Sequence, residues 1–456
     1  MHLNSLSAPR SSTPSMLDPY TPGVGSADLL IDHYDIDLDY RIGPNRLAGK
    51  ARLTGRVLTE TSTIVLDLTG MRVTKASVNG RKVRYSLRGK KLRLSTEALG
   101  KNQPVRIDIA YEGNPQPAIG TWGDIGWEEL EDGVLVAGQP VGASTWFPCN
   151  DHPSNKAKFR IRVLTESEYT VVSNGDLVEK VRKAGRTAWT FQSTTPLATY
   201  LATVQIGRYR SAELPAPPGV APSPVPLTVF AGEAWQTAVA RLPVQHAMMT
   251  LFVDRFGPYP FDRYDVVVTN EELEIPLESQ PLSVLGPNHL GPEWEAERLV
   301  AHELAHQWFG NSLTPNSWSD IWLNEGFACY AEWLWSEETG LMSADEWART
   351  WHRALSASPQ DIVLADPGGP DMFDDRVYKR GALTLHALRL TLGDDVFFAC
   401  VREWTTRHRH GNVTTRDFID SVSRTSGRDI AEVVRPWLTE TALPPLPLPQ
   451  LPHEQV

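Results

Sequence analysis

From Ile31 onward apolar and polar positions alternate, with Tyr34, Ile36, Leu38 and Tyr40 interleaved by Asp35, Asp37 and Asp39. A period of two puts successive side chains on opposite faces, so this segment reads as a strand with one buried face. The alternation returns at Val105, Ile107, Ile109 and Tyr111, and again at Phe159, Ile161 and Val163. Turn pairs Asn79-Gly80 and Asn174-Gly175 fall between such runs, so roughly the first 200 residues predict antiparallel β-structure. Six prolines between 214 and 226 break any period, and helical spacing follows. The clearest helix is predicted over 292–309. Pro292 suits a first turn, Glu293, Glu295 and Glu297 suit the positive end of the helix dipole, and Gly310-Asn311 supplies a stop. Further helices are predicted over 324–338, 377–392 and 415–423. The tail, 443–452, alternates Leu and Pro and reads as extended, polyproline-like chain.

These patterns divide the chain into a flexible arm (1–27), a β domain (28–208), a mainly helical domain (209–442) and a proline-rich tail (443–456). The fold class is therefore α+β with two domains. At 456 residues, a prior of about 150 per domain would give three; the pattern gives two larger ones. With 41% apolar and 22% charged residues the chain is globular rather than disordered. Its net charge of −11 repels phosphate backbones and anionic lipid, which argues against nucleic acid as a partner. No run approaches the roughly 20 apolar residues of a membrane span, and no signal-peptide stretch opens the chain. Cys149, Cys329 and Cys400 are too scattered for a disulfide framework or a thiolate metal site. A cytoplasmic setting is expected.

Within the helix over 292–309 stands His302-Glu303-Leu304-Ala305-His306, an HExxH pattern. Histidines four apart share one helix face and can meet one ion. A catalytic zinc takes three protein ligands and leaves its fourth position to water, so a third ligand is needed. Glu325, at the start of the next helix with 18 residues between it and His306, is the candidate. Two neutral imidazoles and one carboxylate leave the centre positive, which lowers the pKa of a bound water toward roughly 7. Glu303, one position after His302, leans over the open position as general base and passes the proton to the leaving amine.

The box HELAHQWFGN (302–311) followed by NEGFA (324–328) resembles the zinc aminopeptidases related to aminopeptidase N and leukotriene hydrolase. The spacing sharpens the likeness, because thermolysin-type endopeptidases of the same clan place one more residue before their glutamate. Trp146-Phe147-Pro148-Cys149-Asn150-Asp151 is similar to the proline-cysteine-x-aspartate segment of the family's first domain. The resemblance implies a saddle-like N-terminal β-sheet domain and a thermolysin-like catalytic domain with one Zn2+ per chain, acting on peptides with a free N-terminus. Ile275-Pro276-Leu277-Glu278-Ser279 occupies the place of the GAMEN exopeptidase motif and matches only at its glutamate, so Glu278 is expected to bind the substrate's α-amine. Gln139 corresponds to a first-domain residue that helps hold that amine. Tyr378 corresponds to the tyrosine that donates to the oxyanion, with Arg380 standing for the lysine that follows. Asp320 is a candidate to orient a ligand histidine. Larger relatives add a helical domain that roofs the cleft; here Val434-Arg435-Pro436-Trp437-Leu438 resembles the end of the catalytic region, and an open cleft is expected.

The leading reading is a zinc aminopeptidase. Two others stay open: a catalytically silent interaction protein on the same fold, motivated by the altered GAMEN segment, and a zinc endopeptidase, which would cleave N-acetylated and free peptides equally.

Overall fold

The computed structural model describes residues 17–448, so positions 1–16 of the arm and 449–456 of the tail lie outside the described residues. The first half is β-rich. Strands β1 (Leu29–Arg41) and β2 (Arg46–Val57) pair antiparallel, and β2 pairs with β3 (Pro104–Gly113) within an eight-stranded sheet. The alternation read from the sequence is the reason: Tyr34, Ile36, Leu38 and Tyr40 are buried while the aspartates between them face outward. β4 (Gly133–Ala137) belongs to a second, five-stranded sheet. One pairing departs from the antiparallel expectation. β1 lies parallel to β5 (Lys158–Glu166), with Tyr34 opposite Phe159 and their rings stacked at 4.7 Å. A parallel pair needs a long crossover, and more than a hundred residues, which build further strands of this sheet and of its neighbours, separate these two strands. The Pro148-Cys149-Asn150-Asp151 segment knots this domain together: Cys149 exchanges backbone hydrogen bonds with Asp67, and the Asp151 amide donates to Asp67 Oδ2 (3.2 Å).

Beyond residue 208 the chain forms a mixed five-stranded sheet that helical periodicity did not announce. It comprises β6 (Arg210–Glu213), β7 (Leu227–Ala231), β8 (Tyr264–Val268), β9 (Leu277–Ser279) and β10 (Leu282–Leu285), in the order β6-β7-β8-β10-β9. Its central strand, Tyr-Asp-Val-Val-Val, is buried on both faces, so it carries no alternation to read. The short strand β9 forms the edge.

Helix α1 spans Trp294–Ala305, shorter than predicted, because the chain leaves the helix at His306 and turns through Gly310 (φ 108°). Helix α2 (Trp322–Glu338) packs on it, with Phe309 and Phe327 stacked at 4.0 Å. Helix α3 (Asp375–Leu392) is N-capped by Asp374, and α4 (Thr415–Ser426) by Thr414. Helices α2 and α3 touch backbone to backbone: a Cβ placed on Gly326 would lie 2.8 Å from the Gly381 Cα. No helix among the described residues is long and apolar enough to cross a membrane.

The N-terminal half contacts this helical layer through side chains. Asp18 accepts from the Trp318 amide (2.7 Å), and the Tyr20 hydroxyl donates to Asp366 and accepts from the Gly368 amide (2.9 Å). Lys156 Nζ donates to the carbonyls of Asn311 (2.9 Å) and Ser312 (2.8 Å), and the Tyr200 hydroxyl donates to that of Gly310 (2.9 Å).

Candidate metal centre and its surroundings

Helices α1 and α2 bring His302, His306 and Glu325 together. All three are buried, and each imidazole Nε2 lies 3.4 Å from Glu325 Oε2. The three ligand atoms lie within 4.8 Å of one another. Zinc bonds of 2.0–2.2 Å at tetrahedral angles require donors about 3.3–3.5 Å apart, so both imidazole–carboxylate spacings match zinc and the donor types suit it.

The outer ring nitrogens are occupied. His302 Nδ1 meets Glu332 Oε1 at 2.7 Å, and His306 Nδ1 meets the Phe309 carbonyl at 3.0 Å. Each contact fixes the tautomer that leaves Nε2 free for a metal. Sequence reasoning missed Glu332, although the signal was present: it lies seven residues, about two helical turns, beyond Glu325 and therefore on the same face. Asp320, expected to orient a histidine, instead accepts from the amide (3.0 Å) and hydroxyl (2.6 Å) of Thr415 at the start of α4.

Electrostatics mark the pocket as built for positive charge. Burial alone would depress both imidazoles, yet Glu325 and Glu332 hold His302 up at about 9. Glu325 and Glu278 hold His306 up at about 10. Burial likewise opposes ionisation of Glu325, but His306 and His302 draw it down to about 2. These carboxylates favour positive charge at the two imidazoles, which is the environment that a dication held by His302, His306 and Glu325 would require.

Glu303 and Glu278 flank the other side of His306, and their ligand atoms cluster within 4.8 Å. Glu303 Oε2 and Glu278 Oε1 are buried and without hydrogen-bond partners. Burial first, and neighbouring carboxylates second, raise both, Glu278 to about 7. Tyr378 on α3 lays its half-buried ring along His302, with centroids 6.1 Å apart and planes at 16°. Its hydroxyl is raised by burial and then by Glu325, Glu278 and Glu303, the three carboxylates it faces. Gln139 follows β4, next to Gly138, which packs on the Tyr200 carbonyl; its Nε2 is buried without a partner, and no hydrogen bond joins it to Glu278.

Comparison with known proteins gives this arrangement its context. The Peptidase M1 N-terminal domain matches residues 31–201, and the Peptidase family M1 domain matches residues 241–437. The chain belongs to peptidase family M1. The fold is similar to the crystal structure of the M1 zinc metallopeptidase from Deinococcus radiodurans, with a TM-score of 0.85 and 31% identity over 95% of this chain and 99% of that one. A mutant of that protein has been crystallised bound to a Tyr-Ser-Ala substrate. Among curated M1 relatives, Probable aminopeptidase 2 of Sulfurisphaera tokodaii is 26% identical, covering 91% of this chain and 54% of its own. Leucyl aminopeptidase of Saccharolobus solfataricus is 24% identical, with the same two coverages. The chain thus spans about half the length of the curated relatives it matches.

Proposed function

We propose that the chain is a zinc-dependent aminopeptidase that removes N-terminal residues from peptides. One observation carries the reading: His302, His306 and Glu325 converge on one point, and two unpartnered carboxylates, Glu303 and Glu278, share the space beside it. His302, His306 and Glu325 hold the zinc, one per chain, which when bound supplies Lewis-acid polarisation and acidifies water. Glu303 Oε2 takes the proton of the attacking water and delivers it to the leaving amine. Its pKa, raised by burial, suits a group that must both accept and return a proton. Tyr378 donates its hydroxyl to the oxyanion that develops on the scissile carbonyl. Glu278 binds the α-ammonium group and, with Gln139, limits cleavage to the chain's amino end. A cationic terminus entering the cavity compensates the buried Glu278 charge.

A reducing, cytoplasmic setting is part of this reading, supported by three buried, unpaired cysteines. Glu303→Gln should retain stoichiometric zinc and lose roughly 10²- to 10⁴-fold in kcat on aminoacyl amides. Near-wild-type turnover in that variant would remove Glu303 from the mechanism. Equal cleavage of free and N-acetylated peptides by the unmodified protein would make it an endopeptidase.

A further inference from the structure

The carboxylate of Glu278 has no hydrogen-bond partner at Oε1, so its position is inherited from the backbone that carries it. That backbone is weakly tied within its own sheet. Strand β9 has three residues and pairs only with β10, Glu278 opposite Ser283. The next residue, Ser279, is tied far more firmly. Its carbonyl accepts from Gln307 Nε2 (3.1 Å) and Asn311 Nδ2 (2.7 Å), both just beyond His306. Its hydroxyl donates to the Leu201 carbonyl (2.5 Å) and accepts from Asn174 Nδ2 (3.2 Å), both in the N-terminal half. Asn174 also donates to the carbonyls of Gln280 (2.8 Å) and Leu201 (2.7 Å). Lys156, from the same half, holds the Asn311 carbonyl and completes the frame.

We infer that Ser279 is a positioning residue for amine recognition: through it the N-terminal domain and the end of the HExxH helix jointly set the depth at which Glu278 meets the substrate's ammonium group. The inference rests on the aminopeptidase reading and adds to it the element that measures the distance between His306 and Glu278. Two donors to the Ser279 carbonyl, Gln307 and Asn311, fix it to the turn that follows the HExxH helix, and two hydroxyl contacts fix it to the opposite wall. Removing the hydroxyl frees one side only. The metal-binding residues keep their own hydrogen bonds to Glu332 and Phe309, which Ser279 does not touch.

The test uses the full, zinc-loaded chain and an aminoacyl amide, with the N-acetylated counterpart as control. Ser279→Ala should raise KM for the free-amine substrate roughly tenfold with kcat changed by less than about threefold, as expected when net hydrogen bonds to a positioning group are lost. Zinc content and melting midpoint should match the wild type, and Ser279→Thr, which keeps the hydroxyl, should restore KM. An unchanged KM in an enzyme that otherwise prefers free termini overturns this inference alone. A parallel fall in kcat with a lowered melting midpoint also overturns it, because the role is then merely structural. A wild-type chain that cleaves acetylated and free substrates alike overturns the aminopeptidase reading and this inference together. If Ser279→Ala does not fold, Lys156→Met, which frees the same frame from the other side, takes its place with the same readouts.

Discussion

Glu332 Oε1 lies 2.7 Å from His302 Nδ1, on the same face of the same helix that carries Glu325. One helix thus provides both a candidate ligand and the brace of another. Burial opposes ionisation of Glu332, but Lys379, His302 and Arg298 hold it down at about 2, so the brace is anionic. Glu332→Gln should lower zinc affinity by about 10- to 100-fold while preserving the fold, read by competition against a calibrated chelator. Wild-type affinity would mean that packing alone holds His302.

Tyr378 tests the oxyanion role. Tyr378→Phe removes one hydroxyl and leaves the ring stacked on His302. Single-turnover and steady-state rates should fall by about 10²- to 10³-fold, equivalent to roughly 2.7–4 kcal/mol of barrier, with zinc content intact. A loss below about threefold would assign Tyr378 to packing.

Metal removal should be visible in stability as well as in rate. A ligand that binds only the folded state stabilises it by mass action, about 2.7 kcal/mol at one hundred times Kd. Zinc should therefore raise the melting midpoint of chelator-treated protein and restore hydrolysis. His306→Ala should show neither response, and a zinc-dependent rise in that variant would place the metal elsewhere.

Asp151 gives the N-terminal domain its own pH dependence. Burial and then the neighbouring Asp67 push its carboxyl up to about 7 from 3.8. Between about pH 4 and 7 the folded chain keeps a proton that the unfolded chain releases, so unfolding releases a proton and becomes easier as pH rises. The contribution is fully present below about pH 4 and lost as pH passes 7, by up to about 4 kcal/mol. Asp151→Asn should flatten the fall in denaturant midpoint between about pH 4 and 7. An identical slope in the variant would show that the carboxyl titrates normally.

Gly326 and Gly381 let α2, which carries Glu325, and α3, which carries Tyr378, approach backbone to backbone. Gly326→Ala would place a methyl 2.8 Å from backbone atoms, which cannot rotate away. A loss of roughly 1–3 kcal/mol from overpacking should accompany a fall in kcat, measured by denaturation and turnover together. Full activity would show that α3 can shift without consequence.

The alternation at Tyr34, Ile36, Leu38 and Tyr40 announced its strand because one face is wet and one dry. Tyr264–Val268 is dry on both faces and announced nothing. His302, His306, Glu303 and Glu325 were legible because a helix converts sequence spacing into shared direction. Glu332 obeys the same spacing from Glu325, but an acidic residue on a helix is usually solvated, and only burial distinguishes it. Asp320 illustrates the converse. Proximity to Glu325 in sequence suggested the metal, while the side chain turns to the N-terminus of α4. Contacts across the domains, such as Ser279 with Leu201 and Asn174, have no sequence period at all and emerge only from the folded chain.

Lys156 and Tyr200 reach from the β-rich half to the three carbonyls of Gly310, Asn311 and Ser312, directly after His306. The seam between the halves therefore runs along the loop that follows the candidate metal ligand His306. A chimera that joined the front of one relative to the back of another would have to transplant both sides of this seam as a set. Likewise, severing the chain near residue 208 would cost the helical half the wall against which its own loop is shaped.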